Sequence, residues 1–294
     1  MKKDWIEDSN ISNRGNAEII HDFLLSLHLA NRSGATIKQY RLLLERVFSD
    51  FKKPITELSS NEIHEWIQNN CGYLKERTIE FHISVLSSFL TFCRREGYVD
   101  SLFIKKRWRP KLPSSIPKYL SNKDLAKTKL EAEKTTLRNR TILEFMLSSG
   151  CRVGEVHRLN KEDIDLENRT AMVTGKGKKI RYVHFSDTCA ILFEKYLSNH
   201  PKDKNALFLT YYTRERLGIR SIQLLLNKIG EEAALDNRLF PHALRHTFAT
   251  RLLSKGADLS FIAEELGHSN MDTTRVYAHL PKKEMVSLYR KYMG

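Results

Sequence analysis

"TAMVTGKGKKIRYVHF" runs from Thr170 to Phe185. Two β-prone runs flank a Gly175-Lys176-Gly177 turn, which is the signal of a β-hairpin. On either side of it the apolar residues recur at helical spacing. Downstream and upstream, helical patterns cover roughly 121–133, 136–149, 187–199, 221–233, 242–255 and 259–266. The expected class is therefore mainly α with a small antiparallel β-sheet.

The first hundred residues read as a separate helical bundle. Ile20, Phe23, Leu24 and Leu27 share one helix face, as do Ile37, Tyr40, Leu44 and Val47 after a Ser33 cap and Gly34. A third, short helix starts near Ser60 and carries Ile63, Trp66 and Ile67. A fourth carries Ile79, Ile83, Leu86, Phe89, Leu90 and Cys93, and Gly97 marks its end. Four amphipathic helices joined by short loops predict a small bundle.

Between the two parts lies "IKKRWRPKLPSSIPK" (104–118). It holds three of the seven prolines, six basic residues and no acidic one. Proline removes backbone donors and favours extended chain. The expected organisation is a helical domain over 14–103, a basic linker over 104–118 and a second domain over 119–294. The plain reading of the linker is a solvated tether. Its charge density favours a tether that also touches phosphates, through Lys105, Lys106, Arg107, Arg109 and Lys111.

The whole chain is basic. It has 49 Lys and Arg against 35 Asp and Glu, a net charge of +14 and a pI near 9.6. A polyanionic partner follows, with nucleic acid first and an anionic membrane surface second. "MKKDWIEDSN" carries no apolar stretch behind its lysines, so no signal peptide is expected. No apolar run approaches the ~20 residues that span a bilayer. Cys71, Cys93, Cys151 and Cys189 are scattered without a CxxC pair. That predicts a reducing, cytoplasmic setting with neither disulfides nor zinc. His242 and His246 at i, i+4 have no HExxH glutamate and no third ligand beside them, so no metal is expected.

Four stretches concentrate polar and cationic groups near turns and helix starts. In "SSGCRVGEVHRL" (148–159), Gly150 ends one helix and Arg152 opens the next, with Glu155 behind it. A local Arg–Glu pair is the plain reading and is worth little. Lys176 at the hairpin tip is by default a solvated turn lysine, and Lys178 and Lys179 beside it are expected to contact nucleic acid. In "FPHALRHTFATRLL" (240–253), His242 and Arg245 share a helix face. In "LGHSNMDTTRVYAHL" (266–280), His268 precedes Tyr277 by nine residues. Taken singly, each is more often structural than catalytic.

Together they resemble the signature boxes of the tyrosine recombinase (phage integrase) family. "GCRVGE", "GKGKK", "HALRHTFAT", "LGH" and "TTRVYAH" occur in the family's order. The spacings match too: 24 residues from Arg152 to Lys176, three from His242 to Arg245, nine from His268 to Tyr277. Val156 stands where leucine is usual, and His184 replaces a frequent proline after the second hairpin strand. The resemblance covers nearly the whole chain. It implies a SAM-like core-binding bundle followed by a catalytic domain, in an Xer-like or transposon-borne recombinase.

The reaction so implied cuts DNA without hydrolysis. Tyr277 attacks the scissile phosphodiester, forms a 3′-phosphotyrosyl bond and releases a 5′-hydroxyl. A phenol with a pKa of about 10 leaves more readily than an alkoxide, so a second 5′-hydroxyl can displace it. Arg152 and Arg245 would clamp the phosphate. Lys176 would act as general acid, His242 would assist proton transfer at the nucleophile, and His268 would hydrogen-bond the phosphate. Glu155 reads as support rather than a base, and His246 and Arg251 as structural or DNA-contacting. No cofactor is required. A homo-tetramer on DNA, exchanging strands through a Holliday junction, is implied. After Pro281, Met285, Leu288, Tyr289 and Tyr292 form one apolar helix face. That face packs either on its own domain or, as the assembly favours, on a neighbouring subunit. Two other readings stay open: a DNA-binding regulator that never cuts, and a type IB topoisomerase that cuts and reseals one duplex.

Overall fold

A computed structural model describes residues 11–101, 104–112, 118–175 and 179–267. Lys176, Lys178, His268, Tyr277 and the tail face at Met285 to Tyr292 therefore lie outside the described residues. The chain divides into two compact units, residues 1–114 and 115–294. Among the described residues, no helix is long and apolar enough to cross a membrane.

The first unit holds four helices: α1 (Arg14–Leu29), α2 (Gly34–Asp50), α3 (Ser60–Cys71) and α4 (Glu76–Arg95). Their starts follow local chemistry. Ser33 accepts the Thr36 N–H at 3.2 Å ahead of α2. Ser59 and Glu62 cap α3 reciprocally, satisfying donors that a helix start would leave open. The predicted apolar faces meet in one core, where the Phe89 ring packs edge-on against Phe23 at 5.3 Å and Phe48 at 5.4 Å. Gly97, two residues past α4, takes a φ of +76°, which glycine adopts without Cβ strain.

The described part of the basic segment differs from a free tether. Residues 106–108 form a 3₁₀ turn, and Trp108 stacks on His64 of α3 at 4.3 Å. Lys105 lies over the Trp108 ring at 5.7 Å. Arg109 pairs with Glu80 of α4 and donates to Ser84 Oγ. The charges are thus partly tied down, Lys105 by the neighbouring Trp108 ring and Arg109 by a carboxylate distant in sequence, while Lys106, Arg107 and Lys111 remain exposed.

The second unit holds α5 (Asn122–Glu133), α6 (Leu137–Ser149), α7 (Val153–Arg158), a small sheet, α8 (Asp187–Ser198), α9 (Ile219–Glu232), α10 (Pro241–Ser254) and α11 (Leu259–Leu266). The sheet is antiparallel, with β1 (Ile164–Asp165), β2 (Thr170–Thr174) and β3 (Ile180–His184) side by side in that order. The expected hairpin is β2 and β3, with Ala171 opposite Val183 and Val173 opposite Arg181. The two-residue β1 is too short to show any periodicity in the sequence. Phe145 of α6, Phe185, Phe193 of α8 and Phe208 form the aromatic centre of the core, with ring centroids 5.3 to 6.2 Å apart. α6 is packed between α8 and α10, and α11 packs on β3. This packing brings the end of α6, the start of α7, the hairpin and the end of α11 together.

Candidate active site

The site begins with two glycine turns. Gly150 caps α6 with a φ of +63°, and Gly267 caps α11 with a φ of +62°. Both are left-handed caps, where a helix ends and its last carbonyls face outward. Arg245, on α10, joins them. It is only 4% exposed. Its Nη1 donates to the Gly150 carbonyl at 2.8 Å and its Nη2 to the Leu266 carbonyl at 2.6 Å.

Arg152 sits immediately before α7. Its side chain is about one-third exposed, with Nη1 3.0 Å from Glu155 Oε1 and Nη2 3.4 Å from the Gly267 carbonyl. Glu155 lies against Arg152. It is 1% exposed and accepts the Arg152 backbone N–H at 2.8 Å. Arg152 and Arg245 therefore hold neighbouring carbonyls of one turn. His268 follows that turn directly in the sequence.

His242 lies in the first turn of α10, behind Pro241. Its ring reaches solvent on one side. Partial burial first, then the charges of Arg245 and Arg152, hold its pKa below the ordinary 6.5. His246, one turn on with its ring centroid 6.5 Å away, is lowered by burial, His242 and Arg245. Both imidazoles are thus neutral at pH 7. This has a stability consequence. Below pH 6.5 the unfolded chain takes up protons at these positions before the folded chain does, so stability falls as the pH drops. Thermal denaturation from pH 7.5 to 5 should show a falling midpoint, and His246→Gln should shallow that fall.

Gly175 and Lys179 bracket the hairpin tip, and the Gly175 N–H donates to the Lys179 carbonyl at 2.8 Å. Lys179 is exposed. A Cβ built on Gly175 would stand 3.5 Å from Glu155 Oε1, so the hairpin leads directly from the Arg152–Glu155 pair. Lys176 and Lys178 lie outside the described residues. Among the described residues, no group of three or more His, Cys, Asp and Glu is placed to hold a metal ion.

Arg181 is the residue that the sequence reading passed over. It is on β3, and its Nη1 and Nη2 lie 2.7 and 3.1 Å from the two oxygens of Glu155. Its Nε donates to the Glu265 carbonyl at 3.3 Å. A signal was present: Arg181 shares the inward side of the strand with Val183, two residues on, where a charge needs a partner. Burial alone would raise the Glu155 pKa, but the hydrogen bond and charge of Arg181, then those of Arg152, hold it below the usual carboxylate value. His184 also has a role that proline could not fill, since its Nδ1 lies 2.8 Å from Glu265 Oε1.

A turn that gathers two guanidinium groups beside a neutral imidazole is suited to a phosphoryl oxygen. The family described as the phage integrase family matches residues 118–284. A relative named tyrosine recombinase XerC, from Oceanobacillus iheyensis, is 34% identical over 288 residues, covering 95% of this chain and 87% of the relative. Tyrosine recombinase XerA from Pyrococcus horikoshii is 31% identical over 273 residues, covering 92% of each. Two solved structures show the same fold. XerH recombinase bound to a palindromic difH substrate aligns at a TM-score of 0.76, with 21% identity over 98% of this chain and 92% of that one. The Tn1549 transposon integrase with circular-intermediate DNA aligns at 0.75, with 17% identity over 93% and 98%. The chain belongs to the phage integrase family and is a tyrosine recombinase.

Proposed function

We propose that this chain performs site-specific recombination of double-stranded DNA with Arg152, Lys176, His242, Arg245, His268 and Tyr277 as its reacting set. The observation that carries the reading is the convergence of Arg152 and Arg245 on the turn that ends at Gly267. The Tyr277 oxygen attacks phosphorus while the bond to the 5′-oxygen breaks. The phenol proton passes towards neutral His242, and Lys176 supplies a proton to the leaving 5′-oxygen. Arg152, Arg245 and His268 hold the non-bridging oxygens as charge builds on them. A 5′-hydroxyl from a second duplex reverses these steps and restores the phosphodiester, so no external energy source is needed.

Strand exchange between two duplexes, rather than resealing of one, is the test. Two labelled duplexes carrying the cleaved site should yield recombinant products and a four-way junction. Resealed parents alone would favour a topoisomerase, and no cleavage at all a regulator.

The assembly we propose is a homo-tetramer in which the tail face of Met285, Leu288, Tyr289 and Tyr292 docks on a neighbouring copy. A surface cavity of about 430 Å³ offers apolar ground for it, lined by Leu147, Phe248, Leu252 and Phe261 among others. Removing residues 283–294 should leave binding to a single site but abolish synapsis of two. Unchanged synapsis on native gels would remove the tail from the assembly.

Phosphate contacts also set the salt response. Lys106, Arg107, Lys111 and Lys179 are exposed and free to release counterions on binding. For a footprint of six to ten phosphates, affinity should fall about 10³- to 10⁵-fold between 50 and 200 mM salt. A flat affinity in a filter-binding titration would contradict the DNA clamp.

A further inference from the structure

We propose that Arg181 is a positioning residue whose charge satisfies Glu155, so that Arg152 stays available to the phosphate. This rests on the reading of Arg152 as a phosphate clamp. Glu155 is buried and lies between two guanidinium groups. Its Oε1 is 2.7 Å from Arg181 Nη1 and 3.0 Å from Arg152 Nη1. Its Oε2 takes Arg181 Nη2 at 3.1 Å and the Arg152 backbone N–H at 2.8 Å.

The two partners are unequal. Arg181 makes the paired, fork-to-fork contact, the stronger geometry for guanidinium and carboxylate. Its side chain is 16% exposed, against 35% for Arg152. Arg152 gives the carboxylate one side-chain donor of the five that a guanidinium carries. Without Arg181, a buried carboxylate would be left with Arg152 as its nearest counter-charge. A buried charge must be paired, so Arg152 would be drawn onto Glu155 and away from an incoming phosphate. The anion that Arg152 should bind and the anion that anchors it would then compete.

Arg181 also lies beneath the turn that carries the site. A Cβ built on Gly267 would meet Arg181 Cδ at 2.9 Å, and Arg181 Nε bonds the Glu265 carbonyl. One side chain on the hairpin thus touches both the anchor of Arg152 and the segment leading to His268.

The test compares Arg181→Met, Arg181→Lys and the double variant Arg181→Met/Glu155→Gln, using a nicked duplex of the site that wild type cleaves. Arg181→Met should slow covalent adduct formation by at least about ten-fold while DNA affinity holds, because Arg181 is committed to Glu155. Neutralising Glu155 in that background should recover most of the lost rate, since the competing anion is gone. Arg181→Lys keeps a positive charge beside Glu155 but loses the two-pronged contact, so its rate should lie between those of wild type and Arg181→Met. A wild-type rate in Arg181→Met, or no recovery in a folded double variant, overturns the proposal. If Arg181→Met does not fold, an Arg181→Lys rate down by a hundred-fold or more does the same. Tyr277→Phe separates the two levels of the argument. No Tyr277-dependent adduct in the wild type would remove the clamp reading itself, whereas a normal adduct with an unaffected Arg181→Met removes this inference alone.

Discussion

Arg245→Ala should lower the rate of covalent adduct formation by about 100- to 1000-fold and destabilise the catalytic unit as well. The first effect follows from losing a fixed guanidinium where charge develops. The second follows from its bonds. With Arg245 only 4% exposed, its removal strips the Gly150 and Leu266 carbonyls of donors 2.8 and 2.6 Å away. An unsatisfied buried acceptor costs about 1–3 kcal/mol. Arg245→Lys separates the two effects. Lysine restores the charge but cannot span both carbonyls and also meet a phosphate. Stability should recover in part, while cleavage remains at least about ten-fold slow. Single-turnover cleavage and denaturant unfolding, measured on the same preparations, check both. A wild-type rate in either variant would take Arg245 out of the clamp.

The second large effect is expected at Gly150, which is not itself a reacting group. Gly150→Ala should cost about 2–4 kcal/mol of stability. Two terms add. A φ of +63° strains any residue bearing a Cβ. The new carbon would also meet Phe248 Cδ1 at 2.4 Å and Leu266 Cδ2 at 3.0 Å, inside a packed contact between the end of α6, α10 and α11. The shift that relieves it moves the carbonyl that Arg245 holds, so cleavage should fall with stability. Gly97→Ala is the control. Its φ is +76°, yet nothing lies within 4 Å of the added carbon. It should show the backbone cost alone, about 1 kcal/mol. Equal unfolding midpoints for the two variants would mean that the Gly150 contact carries no weight.

Much of this architecture is legible because it is local. Ser33 and Gly97 mark helix ends through chemistry within a few residues. The faces of α1 to α4 follow from a 3.6-residue period, and the hairpin from two β-prone runs around glycines. Arg152, His242 and Arg245 could be named because their boxes resemble those of a known family. What brings them together could not be. Arg245 reaches Gly150 across 95 positions and Arg181 reaches Glu155 across 26, and no periodicity encodes such distances. The Trp108–His64 stack hides from the sequence for the same reason. Proline and basic residues there suggest an open tether, whereas an aromatic partner on α3 and a carboxylate on α4 draw the segment down. The pairing of His184 with Glu265 likewise depends on β3 and α11 meeting in the fold.

The central claim is that one tyrosine among 11 becomes bonded to DNA. Its most direct measurement is peptide mapping of the adduct trapped on a nicked duplex. After protease and nuclease digestion, mass spectrometry should place a nucleotide on the peptide containing Tyr277, linked through the 3′-phosphate, and Tyr277→Phe should yield no adduct. A nucleotide on any other tyrosine, a 5′-phosphate linkage, or an adduct that persists in Tyr277→Phe would contradict the account.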